Sequence, residues 1–423
     1  MSLDLKKYIP INRKTLDNGL DVVLVEMPNS PIVSMNLSYK VGSKNETRGK
    51  TGFAHLFEHL MFEGSKHVPK GQFDKICSTA GGTNNAYTTY DYTAYTMSLP
   101  IHQLELGLWL ESDRMFFSDI NSEALENQQK VVIEEIKQTV ENQPYGIWRE
   151  KLAESAYSNE CSYSWEVHGS KDDVAASTLA DVRAFFDDFY RPDNACLVIA
   201  GKIKSDETFA LVEKYFNIKK NSNPKPETIF KNEYKNGGVK SSFVDNVPLA
   251  ASFISFHTGG ISDDSNFAVD VFSNILGMGK SSLLYNSLVY DMQIASQIGA
   301  YTDKREHTSL LTVYALANTP NTSAEQLTEI LNKSLKDIIK NGIDEKHLIK
   351  SKNQIIANAA NEILYSSGVA DNVGNQTLFW NNPERYYSLL DNYMNVNQKD
   401  IADLCDRFIN DDNSVVVEVI PNE

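Results

Sequence analysis

Residues 30–65 read SPIVSMNLSYKVGSKNETRGKTGFAHLFEHLMFEGS. After the proline, Val33, Met35, Leu37 and Tyr39 alternate with polar residues, which predicts a strand. A polar turn follows. Then Phe53, Leu56, Phe57, Leu60 and Met61 recur at i, i+3, i+4, i+7 and i+8, the apolar stripe of a helix. Residues 247–282, VPLAASFISFHTGGISDDSNFAVDVFSNILGMGKSS, repeat that order: proline, strand (Ala251, Phe253, Ser255, His257), polar turn, apolar helix, then Gly and Ser. The halves also close alike, on NACLVIAGKI (194–203) and NSVVVEVIPN (413–422). Helical stretches such as 101–117, 122–141 and 178–190 lie between. The chain is therefore read as α+β, with two structurally homologous domains, each a mainly antiparallel sheet packed against helices. Residues 217–238, NIKKNSNPKPETIFKNEYKNGG, are rich in Asn, Lys, Pro and Gly and read as a surface linker between domains 1–216 and 239–423. A length of 423 residues suits two cores of ordinary size.

The first helix carries more than its apolar stripe. His55, Glu58, His59 and Phe62 are spaced i, i+3, i+4 and i+7 on another face. In the ungapped alignment His55 and His59 fall opposite Phe272 and Leu276, so only the first half has the ionisable cluster. A solvated helix face is the bland reading, and His-x-x-x-His alone would be assigned to it. A glutamate inside the turn makes H-x-x-E-H, the reverse of the zincin motif. Two imidazoles one turn apart reach a single zinc ion, and the glutamate beside them is placed to take a proton from an attacking water and return it to a leaving amine. A catalytic zinc wants a third protein ligand. Glu134 and Glu135, in the helical stretch 122–146, lie 75 and 76 residues after His59 and are the best donors.

Composition narrows the partners. A net charge of −16 disfavours nucleic acid and anionic membranes. Cys77, Cys161, Cys196 and Cys405 form no C-x-x-C pair and read as ordinary buried thiols. No apolar run reaches the length of about 20 residues that spans a bilayer. The first twenty residues hold no signal-like run, which points to the cytoplasm; a periplasmic protein whose export signal has been removed is the alternative.

With H-L-F-E-H (55–59), G-G-T-N-N-A-Y-T (81–88), V-V-I-E-E (131–135), E-N-Q-P-Y-G (141–146) and RPDNACLVIAGKI (191–203), the chain resembles the pitrilysin, insulin-degrading enzyme and mitochondrial processing peptidase family. The likeness runs through the whole chain in element order and is strongest in the first half. It implies a zinc metalloendopeptidase, one zinc per chain, held by His55, His59 and Glu135, with Glu58 as general base and then general acid. It puts Gln128 where many relatives carry a glutamate that supports the third ligand, with a hydrogen bond from Gln128 to that ligand as the expectation. Residues 81–99, dense in Thr and Tyr, read by themselves as a hairpin turning near Thr89–Asp91; the resemblance gives that hairpin an exposed edge that pairs with peptide main chain at Asn85 and Ala86. Phe62 lines the pocket just after the scissile bond. The Arg and Tyr that relatives use in the second half to contact substrate and oxyanion are replaced by Leu283 and Ser296. The resemblance thus implies half of a clamshell that encloses short or unfolded peptides, completed by an inactive homologous subunit that carries the Arg/Tyr pair. A homodimer in which Lys280, Tyr285 or Tyr301 substitutes is the second choice. The rival from another class is a non-catalytic scaffold subunit; the complete H-x-x-E-H speaks against it.

Overall fold

A computed structural model describes residues 5–218, 230, 231, 233–235 and 237–422. Most of the 217–238 linker expected from sequence lies outside these residues. Six strands form one mixed sheet: β1 (Ile11–Thr15), β2 (Asp21–Glu26), β3 (Ile32–Tyr39), β4 (Thr83–Thr88), β5 (Thr93–Pro100) and β6 (Ala195–Gly201). Their spatial order is β1-β2-β6-β3-β5-β4, and only β2 and β6 run parallel. Five form a second sheet: β7 (Val239–Asp245), β8 (Ala251–Gly259), β9 (Ala295–Asp303), β10 (Thr308–Ala317) and β11 (Ser414–Pro421). Their order is β7-β11-β8-β10-β9, with β7 and β11 parallel. Strand for strand, β7-β11-β8-β10-β9 repeats β2-β6-β3-β5-β4, and β1 is an addition to the first sheet. The fold is two sheet-plus-helix units, as the repeat predicts.

The compact units are not consecutive in sequence. One comprises 1–136, 166–230 and 359–389; the other comprises 137–165, 231–358 and 390–423. Strands before residue 216 and after 239 keep to separate sheets, while the segments 137–165 and 359–389 cross that division.

In the first unit, β3 is buried on both faces. Met35 faces the Leu104–Phe117 helix so closely that a Cβ on Gly107 would meet its Cε at 2.1 Å. Asn36, on the opposite face by strand alternation, donates to Asp371 Oδ1 at 2.5 Å, and the Ser34 and Ser366 hydroxyls lie 2.8 Å apart. Both partners belong to the Ser366–Trp380 helix, whose Val369, Ala370 and Val373 pack on Val23, Val25 and Val198. The polar residues of β3 therefore meet a polar helix face instead of water.

In the second unit, Ile254 and Phe256 of β8 pack with the Asn266–Gly277 helix through Phe272 and Leu276. Phe253 stacks on Trp148 at 4.1 Å, and the Tyr157 ring meets His257 edge-on at 5.1 Å. All four cysteines are buried and free. Among the described residues no helix is long and apolar enough to cross a membrane.

Candidate metal centre and substrate groove

Helix Phe53–Leu60 begins at Gly52, whose φ of +83° suits glycine, and a Cβ there would meet the His168 carbonyl at 2.5 Å. Its first amides are taken by a buried carboxylate. Glu46 accepts from Gly52 N at 2.9 Å and from Ala54 N at 2.8 Å. The apolar stripe packs as the spacing requires. Phe57 stacks on Phe185 at 5.4 Å and on Tyr190 at 4.9 Å, and Phe53 meets Phe185 edge-on. Tertiary packing and a charged cap thus fix a helix of only eight residues, too short to persist alone.

The second stripe is turned toward the Ser122–Ile136 helix. The His55 and His59 rings are edge-on with centroids 4.9 Å apart. His59 Nε2 lies 3.2 Å from Glu135 Oε2, and His55 Nε2 lies 3.8 Å from Glu135 Oε1. One donor atom from each of the three residues falls within 4.8 Å of the others. Donors in a tetrahedral zinc shell, with bonds of about 2.0–2.1 Å, stand roughly 3.4 Å apart, so the trio needs little adjustment. Glu134, the other donor candidate, is not in this group.

The electrostatics suit metal ligation. Burial, with the neighbouring His59, holds His55 down to about 4, so its imidazole is neutral at pH 7 and offers a lone pair. The hydrogen bond with His59 holds Glu135 below the usual carboxylate range, so it is charged. Two nitrogens and one carboxylate oxygen are a zinc donor set, and His55 Nδ1 is buried with no hydrogen-bond partner. The residues fit a zinc ion that leaves a coordination position open.

Glu58 lies beside the trio. Burial raises its carboxyl above the ordinary value, and Thr88 Oγ1 donates to its Oε2 at 2.7 Å. Thr88 ends β4, so the outermost strand of the sheet holds the proposed proton carrier in place. Glu58, His59, Phe62, Asn85 and Ala86 line one groove of about 790 Å³. Among the described residues β4 pairs only with β5, which leaves its other edge open. The hairpin turns between Thr88 and Thr93, as the sequence predicts. Phe62 is braced by Phe73, edge-on at 5.6 Å, and by the Arg114 guanidinium 4.9 Å from its ring centroid.

Gln128 departs from expectation. It donates to Glu63 Oε1 at 2.6 Å and not to Glu135. Seven residues of helix advance about 10 Å, farther than a glutamine side chain reaches, so the two-turn spacing does not by itself allow the bond. Sequence reasoning also missed three residues. Glu46 caps the helix from a turn, Thr88 holds Glu58, and His168 lies near enough to act electrostatically on both His55 and Glu135. Thr88 stands in the G-G-T-N-N-A-Y-T stretch, but nothing in the sequence flags Glu46 or His168.

In the second unit, Leu283 packs against the core and Ser296 Oγ donates to the Ala317 carbonyl at 2.8 Å. Neither resembles an arginine or tyrosine in reach or chemistry. Of the substitutes considered, Lys280 is exposed and Tyr285 packs on the core. Tyr301 lies beside Trp148, with the Arg149 guanidinium 5.4 Å from its ring.

Comparison with known proteins gives a consistent picture. Residues 21–165 match the family model for insulinase (peptidase family M16), and residues 176–355 match that for the peptidase M16 inactive domain. His55, Glu58, His59 and Glu135 all fall in the first match. The chain is 32% identical over 374 residues to a Helicobacter pylori protein named zinc protease PqqE, covering 87% of this chain and 84% of that one. It is 27% identical to an uncharacterized zinc protease, YmxG, of Bacillus subtilis, over 82% of each chain. A crystal structure of a protease from Helicobacter pylori superposes with a TM-score of 0.93 at 29% identity, covering 98% of this chain and all of that one.

Proposed function

The chain belongs to the insulinase (M16) peptidase family, and we propose that it is a zinc-dependent endopeptidase subunit that hydrolyses short or unfolded peptides. The observation that carries this reading is the convergence of His55, His59 and Glu135 beside Glu58, in a groove edged by an open strand.

His55, His59 and Glu135 would hold one zinc ion. Bound there, zinc supplies Lewis acidity that polarises the scissile carbonyl and makes the attacking water more acidic. This chain's residues do the rest. Glu58 Oε2, held by Thr88, keeps the carboxylate oriented so that it takes a proton from the water and passes it to the leaving nitrogen. Its raised proton affinity suits a group that must first accept and then donate. The open edge of β4 pairs with substrate main chain at Asn85 and Ala86, which favours extended peptides and is nearly indifferent to their side chains. Phe62 offers an apolar wall to the residue after the scissile bond.

Leu283 and Ser296 bring no cation or phenol to a developing oxyanion. We therefore propose a heterodimer in which an inactive homologous partner supplies an Arg/Tyr pair and completes an enclosed chamber, with a homodimer as the second choice.

The test is hydrolysis of a mixed fluorogenic peptide set by the purified chain, with Glu58→Gln as control and zinc content measured on both. Cleavage that Glu58→Gln abolishes supports the peptidase and removes the need for a partner. A zinc-loaded chain that cleaves nothing alone, but does so with an Arg/Tyr-bearing homologue, supports the heterodimer. Inactivity with such a partner leaves a scaffold subunit.

A further inference from the structure

The inference rests on the peptidase reading and narrows its substrate class. The groove has two walls. Residues Thr83–Ala86 of β4 form one, and Asp74, Lys75 and Ser78 of the Phe73–Thr79 helix form the other. Three lining residues carry a formal charge at neutral pH: Glu58, Asp74 and Lys75. Glu58 is engaged by Thr88. Asp74 Oδ1 accepts from Asn84 Nδ2 at 2.7 Å, which ties the two walls together. Lys75 is exposed and forms no ion pair among the described residues. Lys75 is the one lysine or arginine among the residues that line this groove.

Its position can be read from the aromatic contact. Phe73, two residues before Lys75, packs edge-on against Phe62. The helix wall therefore stands on the Phe62 side of the metal centre. If Phe62 meets the residue after the scissile bond, Lys75 faces the segment that follows. A strand paired with β4 advances about 3.3 Å per residue and turns every second side chain the same way, so a lysine side chain reaches the first few residues of that segment.

We propose that Lys75 selects peptides bearing a carboxylate within about three residues on the C-terminal side of the scissile bond. An acidic side chain and the free terminal carboxylate of a short peptide share this chemistry. An ion pair at an exposed site of this kind corresponds to a preference of about three-fold.

The experiment uses a neutral amidated peptide, three amidated versions with Glu at the first, second or third position after the cleaved bond, and a neutral version ending there in a free carboxylate. Rates (kcat/KM) are measured with the whole chain, and Kd with its Glu58→Gln form, each combined with wild-type Lys75, Lys75→Gln and Lys75→Glu. We expect about three-fold preference for a carboxylate at one position, lost in Lys75→Gln, reversed in Lys75→Glu and shrinking as salt is raised. The amidated Glu peptides and the free-carboxylate peptide tell side chain from terminus. Absence of the preference in both rate and binding, or its survival in Lys75→Gln, overturns the proposal. Failure to cleave the neutral peptide both alone and with an Arg/Tyr-bearing homologue counts against the peptidase reading alone, because the binding measurements still report on Lys75.

Discussion

Two helices occupy equivalent places in the two units, Phe53–Leu60 after β3 and Asn266–Gly277 after β8. Both bury an apolar stripe on their own unit, and both are held at the N-terminus by an acid. Glu46 takes the Gly52 and Ala54 amides. In the same ungapped register Asp263 takes the Ser265 amide at 2.9 Å. They differ on the second face. Where the first helix turns His55 and His59 toward Glu135, the second buries Phe272 and Leu276 completely. The same scaffold carries a candidate metal centre in one copy and a packed core in the other. The difference lies in two side chains and in what the neighbouring helix offers them.

The strongest test exchanges those side chains. His55→Phe with His59→Leu gives the first helix the residues of the second. Zinc content should fall from one per chain to near zero, and hydrolysis by roughly 10³-fold or more, since the metal supplies several kcal/mol of transition-state stabilisation. Near-UV circular dichroism should show the fold retained. Activity that survives the exchange would mean that the histidine face is only a solvated surface. The buried face of each helix is tested next. Phe57 and Phe272 are both fully buried, so Phe57→Ala and Phe272→Ala should each cost about 3–5 kcal/mol in urea unfolding. A much smaller loss at Phe57 would show that the first helix is held by its cap and not by packing.

How far the sequence discloses this comparison follows from the range of each signal. The H-x-x-E-H spacing is local, and so is the alternation of β3 and β8, so the histidine face and the repeated order are legible. Glu135 follows from the family pattern on a long helix. The Ser366–Trp380 helix is harder. It returns to the first sheet across more than 160 residues, and it buries Ser366, Gln376 and Thr377 along with its valines, so no apolar stripe announces it. Gln128 misleads because two helical turns align a direction without closing a distance. Glu46 and His168 act through turns, where a single polar residue looks like any other.

Strands β3 and β8 of the repeat also end differently, and pH should reveal it. His257 lies on β8 under the Tyr157 and Tyr234 rings. Burial, aided by Arg305, holds it down to about 4. Its unfolded value is near 6.5. Between those limits the unfolded chain binds a proton that the folded one refuses, so stability falls as pH drops from about 6.5 to 4, by at most about 3 kcal/mol. Urea midpoints at pH 7.5 and 5 should separate in the wild type and draw together in His257→Phe. An unchanged separation would place the acid sensitivity elsewhere.

The smallest expected effect bears on the feature the two helices share. Glu46→Gln keeps one acceptor oxygen and loses the charge, so one of the two amides at the start of the first helix goes unpaired in a buried site. The cost should be about 1–2 kcal/mol. Asp263→Asn removes a charge from a cap that holds a single amide, and should cost less. The two variants separate a structural cap from one that serves the site. If Glu46 only starts a helix, Glu46→Gln lowers stability and leaves zinc affinity unchanged. If it also fixes the pitch at which His55 and His59 face Glu135, zinc affinity measured by competition with a chelator falls several-fold as well, and Asp263→Asn shows no such second effect.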